Sequence, residues 1–153
     1  MELILWRHAE AEVAAEGQDD LSRRLTAKGE KQAARMADWL ERQLPEGARV
    51  LCSPAVRTEQ TARALKRRYK LRAELAPDGS ASDLLNLVQW PTGKQLVVVV
   101  GHQPALGEAI AQVLGLASGS CAVRKGALWW LRARERDGQW QTLVRTVQSP
   151  ELL

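Results

Sequence analysis

The sequence is poor in the residues that bind metals or crosslink small folds. It has only two cysteines, Cys52 and Cys121, and only two histidines among 153 residues. The cysteines stand far apart and no spaced set of cysteine and histidine accompanies them, which argues against a zinc site and a disulfide framework. We expect both cysteines to be reduced thiols, and we expect no metal and no other cofactor.

Long apolar runs are missing as well. No stretch approaches the length needed to span a bilayer. Residues 1–6, Met-Glu-Leu-Ile-Leu-Trp, lack the basic leader and apolar stretch of a signal peptide. We therefore expect a cytoplasmic protein without a membrane partner.

The excess of positive charge is small. The formal net charge is +4, and charged residues of both signs make up 26% of the chain, as on an ordinary soluble surface. The densest basic segment, residues 66–72, has one aromatic residue beside it and is compatible with binding a phosphate backbone. We interpret it instead as a solvated helix end, where cations complement the helix dipole, and expect no nucleic-acid partner.

The chain length and the apolar runs predict one domain with a buried sheet. With 153 residues and 45% hydrophobic content, residues 1–153 fit a single domain with a real core. Residues 2–6 and 96–100 are apolar almost throughout, which is typical of parallel strands buried on both faces. Residues 48–52 predict a third strand and residues 71–75 a weaker fourth.

Helical patterns separate these strands. Thr26 is a candidate cap for a helix whose apolar face runs to Leu44, and Pro45-Glu46-Gly47 ends it. A second apolar stripe, at helical spacing, covers residues 106–114. Residues 54–70 and 82–90 are further candidate helices.

The C-terminal part changes to β-forming residues. Residues 127–134 and 139–147 flank Asp137-Gly138, a signal for a tight hairpin turn. The predicted fold is α/β: a three-layer αβα sandwich with a mostly parallel central sheet and an antiparallel C-terminal hairpin at its edge.

The two histidines follow two of these predicted strands. His8 comes after the first strand and His102 after the strand at 96–100, and open α/β sheets bind ligands at the carboxyl ends of their strands. Arg7 precedes His8, and Arg57 lies in the first turn of the helix after Ser53-Pro54. Two guanidinium groups are suited to gripping phosphate oxygens. The alternative is that Arg57 is a surface residue paired with Glu59 or with another acid.

Three segments of the sequence form an ordered set of motifs: residues 5–10, Leu-Trp-Arg-His-Ala-Glu, then residues 53–62, then Gly101-His102. In these motifs the sequence resembles the histidine phosphatase superfamily, which is phosphoglycerate mutase-like. The short chain, the Arg-His-Ala-Glu-Ala opening and residues 25–29, Leu-Thr-Ala-Lys-Gly, are similar to the SixA-type phosphohistidine phosphatases. The resemblance covers almost the whole chain.

The resemblance implies roles for four residues. His8 would be the nucleophile, Arg7 and Arg57 would clamp the phosphate, and His102 would border the phosphoryl group. The implied activity is hydrolysis of phosphohistidine on a signalling or phosphotransfer protein, through a covalent phosphohistidine intermediate on His8. A phosphatase acting on small phosphate esters is the alternative, and a third reading is a module that binds phosphate groups without turnover.

The sequence departs from the superfamily pattern at two places. Ala9 stands where many members have glycine, and no motif identifies a general acid, for which Asp78 ranks above Asp83 and Glu74. An imidazole leaving group needs a strong acid less than an alkoxide does. The segment from Arg57 to His102 is also too short for the helical lid of larger relatives, so we expect an open site that a protein-borne phosphoryl group reaches.

Overall fold

The computed structural model describes residues 1–153 and contains one six-stranded sheet. Its strands are β1 (Glu2–Arg7), β2 (Arg49–Cys52), β3 (Lys70–Leu71), β4 (Val97–Gly101), β5 (Leu128–Arg136) and β6 (Gln139–Gln148). Their order across the sheet is β3-β2-β4-β1-β5-β6. The first four run parallel, whereas β5 is antiparallel to β1 and β6 is antiparallel to β5. The predicted mostly parallel sheet with a C-terminal edge hairpin is confirmed.

Helices cover both faces of this sheet. They are α1 (Ala27–Gln43), α2 (Val56–Arg63), α3 (Ala81–Val88) and α4 (Ala105–Leu114), with 3-10 turns at Asp20–Ser22, Ala73–Leu75 and Pro150–Leu152. One core lies between the sheet and α3 and α4, and the other between the sheet and α1 and α2. No helix is both long enough and apolar enough to span a bilayer.

Strand β1 explains why both cores form. Leu3 and Leu5 enter one core, and Ile4 and Trp6 enter the other, because successive side chains of a strand point to opposite faces. All four are fully buried. Burying each such side chain contributes roughly 1.5–3 kcal/mol, so the apolar run itself places β1 inside the sheet. The predicted three-layer sandwich follows from this two-sided burial.

The N-terminus of α1 fixes the segment that follows β1. The hydroxyl of Thr26 accepts a hydrogen bond from the Gly29 amide at 2.9 Å, which confirms the predicted cap. The Thr26 amide donates a hydrogen bond to the Glu10 carbonyl at 3.0 Å. At Gly29 a Cβ atom would overlap that same carbonyl oxygen. Only glycine therefore allows α1 to approach the residues after His8 so closely.

Two predicted elements are shorter than the patterns suggested. Helix α2 ends at Arg63 instead of continuing to residue 70, and Lys66 has a left-handed backbone with φ of 57°. The fourth strand is only the two residues of β3, and residues 73–75 form a 3-10 turn. Both residues of β3 are exposed at the edge of the sheet. Without two-sided burial, local turn preferences decided the structure there.

The hairpin has the predicted turn. Asp137 and Gly138 have φ values of 53° and 76° and separate the paired residues Arg136 and Gln139. Two consecutive positive φ values are the backbone of a type I′ turn, whose twist matches that of paired strands. Both strands extend slightly beyond the predicted ranges, and β6 forms an exposed edge.

Candidate active site

The carboxyl ends of three parallel strands meet at one place. Arg7 is aligned with Gly101 across β1 and β4, and Cys52 with Val100 across β2 and β4. The residues that follow therefore lie side by side. The His8 amide donates to the Gly101 carbonyl at 3.1 Å, and the Ser53 amide donates to the Val100 carbonyl at 3.0 Å.

The two imidazoles face each other in this group. The ring centroids of His8 and His102 are 5.3 Å apart, and the residues are 6% and 4% exposed. The Nδ1 atom of His8 bonds to the Ala9 carbonyl oxygen over 2.7 Å. A carbonyl oxygen only accepts, so Nδ1 carries the proton and Nε2 keeps its lone pair. The backbone thus selects the tautomer in which Nε2 is nucleophilic.

Alanine is accommodated after His8. Ala9 is fully buried in a small core with Leu25 and Ala33, and its amide donates to the Thr61 hydroxyl at 3.1 Å. That hydroxyl in turn donates to the Arg57 carbonyl at 2.8 Å. The methyl group that replaces the expected glycine hydrogen is therefore packed, and α2 holds the Ala9 backbone in place.

His102 is bonded on one side only. Its Nε2 lies 2.7 Å from the hydroxyl oxygen of Ser53, which is fully buried, while its Nδ1 is buried without a partner. A serine hydroxyl donates or accepts. When Ser53 donates, the proton of His102 resides on Nδ1, and that nitrogen becomes a donor with no protein acceptor.

The two arginines are held by backbone oxygens from distant loops. Nη1 of Arg7 donates to the Val123 carbonyl at 2.8 Å, and Nη1 of Arg57 donates to the Asp20 carbonyl at 2.8 Å. Nη2 of Arg57 also donates to the Asp20 carboxylate at 3.1 Å. Arg57 pairs with another acid, Asp20, as the alternative allowed, but at 3% exposure it is not a surface residue.

Only three buried side-chain polar atoms in the protein lack a hydrogen-bond partner: Nε of Arg7, Nε of Arg57 and Nδ1 of His102. An unsatisfied buried polar atom costs about 1–3 kcal/mol, so native structures contain few of them. All three belong to the four residues that the sequence singled out. This group therefore contains hydrogen-bonding capacity that the chain itself does not use, and two of the three unpartnered atoms belong to guanidinium cations.

The site keeps both histidines neutral. Burial lowers the pKa of His8 to about 4; the bond to Ala9 opposes this shift, and the charges of Arg57 and Arg7 add to it. Burial first, and then the charges of His8 and Arg57, lower the pKa of His102 to about 3. Both imidazoles are unprotonated near pH 7, as a nucleophilic nitrogen requires.

The carboxylates around the site do not form an obvious proton donor. Although some burial opposes it, hydrogen bonds from Arg23 and Arg57 lower the pKa of Asp20, which keeps it ionised. Asp78 is exposed in the turn before α3, and the structure gives its side chain no bond to the histidines or arginines. Glu10 accepts from the Thr26 hydroxyl at 2.7 Å instead of facing His8. No group of three or more His, Cys, Asp or Glu side chains gathers into a metal-binding arrangement.

Comparison with known proteins agrees with this geometry. Residues 3–78 match the family model of the histidine phosphatase superfamily, branch 1. A phosphohistidine phosphatase SixA homolog of Haemophilus influenzae is 31% identical over 130 residues, which cover 75% of this chain and 78% of that protein. Phosphohistidine phosphatase SixA of Escherichia coli is 32% identical over 121 residues, 74% of each chain. The chain therefore belongs to the histidine phosphatase superfamily, and within it to the SixA type.

A solved structure extends the likeness over nearly the whole chain. The protein histidine phosphatase SixA complexed with tungstate superposes with a TM-score of 0.83 at 27% identity, covering 99% of both chains. The four helices and the mostly parallel sheet are thus those of a SixA-type fold.

Sequence reasoning missed three contributors to this site. Ser53 was part of a recognised motif, but its bond to His102 was not anticipated; Asp20 and Val123, which hold Arg57 and Arg7, carried no signal at all. For Ser53 a signal existed, because a small hydroxyl residue directly after a buried strand lies level with the histidines of the neighbouring strands.

Proposed function

We propose that this protein hydrolyses phosphohistidine on a partner protein, with His8 as the nucleophile. The observation that carries the proposal is that the only buried polar atoms without partners belong to Arg7, Arg57 and His102, and that these three residues all act on the neutral imidazole of His8, the arginines by their charge and His102 by its adjacent ring. A phosphoryl group supplies oxygens for these donors. Two guanidinium groups stabilise the negative charge on those oxygens in the transition state.

The proposed reaction has two steps. In the first, the Nε2 lone pair of His8 forms a bond to phosphorus while the bond from phosphorus to the substrate imidazole breaks. The substrate ring is protonated on its other nitrogen, so it leaves as neutral imidazole with the electron pair of the broken bond. In the second step a water oxygen attacks phosphorus, the bond to His8 breaks with its electron pair returning to Nε2, one proton of the water passes to solvent, and inorganic phosphate leaves. In this scheme Ser53 donates to His102, so that His102 Nδ1–H bonds a phosphoryl oxygen.

The relatives support the substrate class. Both curated SixA relatives are named as phosphohistidine phosphatases, and the solved SixA structure holds tungstate, a tetrahedral oxyanion shaped like phosphate. The lack of an evident acid at the site fits an imidazole leaving group, whose pKa of about 6.5 makes strong acid assistance unnecessary. We place the reaction in the cytoplasm. We assign it no metal, because Arg7 and Arg57 supply the positive charge that a metal would otherwise provide.

Replacing the nucleophile tests the proposal. For His8→Ala we expect release of phosphate from a phosphohistidine peptide to fall at least a thousandfold, because the covalent step is lost. Addition of a metal chelator should leave the wild-type rate unchanged. Brief reaction with labelled substrate should trap phosphate on the wild-type protein in a form that acid releases and alkali does not. Equal rates for the variant and the wild type contradict the proposal.

The same assay separates the alternatives. Faster turnover of small phosphate esters than of phosphohistidine, together with loss of ester activity in Asp78→Ala, favours a phosphomonoesterase in which Asp78 is the general acid. Phosphate binding without turnover and without a trapped label indicates a binding module.

A further inference from the structure

A group of cations lies beside the candidate active site. Its members are exposed and take part in none of the ion pairs of the structure, although Arg35 donates a hydrogen bond to the Pro150 carbonyl at 3.3 Å. They are Lys28, Lys31, Arg35, Arg124 and Lys125, here called the basic rim. The proposed reaction needs none of them, because Arg7 and Arg57 hold the phosphoryl group.

Two of these cations flank the nucleophile directly. Arg124 and Lys125 lie between Val123, whose carbonyl accepts from Arg7 at 2.8 Å, and Gly126, whose amide donates to the His8 carbonyl at 2.9 Å. The loop that carries them is therefore bonded to the active site on both sides. Its two exposed charges therefore belong to a loop whose backbone is fixed beside His8.

The other three cations lie on one face of α1, at positions i, i+3 and i+7. They line a groove of about 250 Å³ that contains no hydrophobic residue; its walls are Lys28, Lys31, Gln32, Arg35, Pro150 and Glu151. The Gln32 side chain accepts from the Glu10 amide at 2.9 Å. The groove wall is thus tied to the backbone two residues after His8.

The groove and the loop form one continuous basic surface. A Cβ atom on Gly126 would lie 3.0 Å from Pro150 and 3.6 Å from the Gln32 side chain, which places the loop against the groove. Hydrogen bonds to its own backbone and to Ser149 lower the pKa of Glu151, and the charges of Arg124 and Lys28 add to this shift. Glu151 is the one acid in the groove wall, against the three cations Lys28, Lys31 and Arg35.

We propose that the basic rim binds acidic side chains of the protein that carries the phosphohistidine, close to that histidine in space. This inference rests on the proposed function. A groove lined by three cations is complementary to carboxylates, and complementary charge speeds the encounter of two proteins. The rim has no aromatic side chain on which a base would stack, which favours a protein partner over a nucleic acid.

The test compares two synthetic peptides that each carry one phosphohistidine. One has Asp and Glu around it, and the other has Asn and Gln at the same positions. For the wild type we expect kcat/KM to be about tenfold higher for the acidic peptide at low salt, and this preference to shrink as salt screens the charges. Lys28→Glu/Lys31→Glu should abolish the preference and leave turnover of phosphoramidate, a small substrate, unchanged.

A matched control makes the same change of charge at the β3 edge of the sheet. Arg68 and Lys70 are exposed and line one pocket with Arg49, and β2 and β4 separate this edge from β1, which leads into His8. Arg68→Glu/Lys70→Glu should keep the wild-type preference. The rim variant should fold normally, because a glutamate at position 28 lies in the first turn of α1 and complements the helix dipole, and a glutamate at position 31 lies four residues before Arg35 on the same helix.

The outcomes separate this inference from the proposed function. If the wild type hydrolyses neither peptide nor phosphoramidate, the proposed function fails. If it hydrolyses both peptides with equal kcat/KM, or if the rim variant keeps the preference, the basic rim does not bind an acidic partner and the inference is overturned. Equal peptide rates together with rim-dependent binding of a 20-base oligonucleotide would assign the rim to nucleic acid instead.

Discussion

The imidazole of His102 depends on a single hydroxyl. Ser53 offers the only protein bond to that ring, at 2.7 Å, and the opposite nitrogen has none. The proton of a neutral imidazole resides on one nitrogen or the other, and the neighbouring bond decides which. A donating Ser53 therefore leaves the proton of His102 on Nδ1, the nitrogen that bonds a phosphoryl oxygen in the proposed reaction.

Removing this hydroxyl should weaken catalysis without removing the pocket. For Ser53→Ala we expect kcat to fall about tenfold, the equivalent of one hydrogen bond, because His102 loses its fixed tautomer. The ¹⁵N chemical shifts of His102 should move towards those of a mixture of tautomers. Ser82→Ala, at an exposed position in α3, is the control and should change neither quantity. Unchanged His102 shifts in Ser53→Ala would show that the hydroxyl has no positioning role.

Helix α1 links the fold to the site through one glycine. The first turn of α1 packs on the Glu10 backbone so closely that a methyl group at Gly29 would meet its carbonyl carbon and oxygen. In an unobstructed helix, exchanging glycine for alanine stabilises by about 1 kcal/mol. Here the overlap makes the same exchange destabilising, because α1 or the segment after His8 must move to make room for the methyl group.

We expect Gly29→Ala to lower the free energy of unfolding by about 1–3 kcal/mol, the usual range for overpacking. Urea unfolding of the variant and the wild type at pH 7.5 measures this difference in the free energy of unfolding. Gly47→Ala is a suitable comparison, since Gly47 lies in the turn after α1 with nothing within 4 Å of an added Cβ. That variant should be neutral or slightly stabilising. A Gly29→Ala protein as stable as the wild type would mean that α1 shifts freely.

For the whole molecule, the buried histidine pair couples the site to stability. The pKa of His8 is lowered to about 4 and that of His102 to about 3, both below the value of about 6.5 in an unfolded chain. Between these values the unfolded chain binds more protons than the folded one. The stability that the two neutral imidazoles contribute is therefore fully present above about pH 6.5, and it decreases as the pH falls towards 4.

Lowering the pH from 7.5 to 5 should cost about 2 kcal/mol of stability for each histidine. Urea unfolding at both pH values, compared between the wild type and His8→Asn/His102→Asn, isolates this contribution, because the carboxylates contribute equally to both proteins. The double variant should lose less stability over this range. Parallel losses in the two proteins would show that the imidazoles are not held neutral in the fold.

Local chemistry in the sequence determined most of the architecture. Apolar runs predicted the buried strands, Thr26 the start of α1, and Asp137-Gly138 the hairpin turn, because each signal acts within a few residues. His8 and His102 were predicted to meet because parallel strands that end together bring the residues after them together. The weak signals failed at the exposed edge, where β3 and the end of α2 had no burial to reinforce them.

Tertiary structure decided how the site is held. The bond from Ser53 to His102 joins residues 49 positions apart, and the pair of Asp20 and Arg57 joins residues 37 apart. Such contacts depend on how loops return to the sheet, which no local pattern encodes. The basic rim has the same origin, because α1 and the loop before β5 supply its charges from distant parts of the chain. The residue types of the site were readable from the sequence, whereas their tautomers, pKa values and partners arise only when burial and long-range packing bring them together.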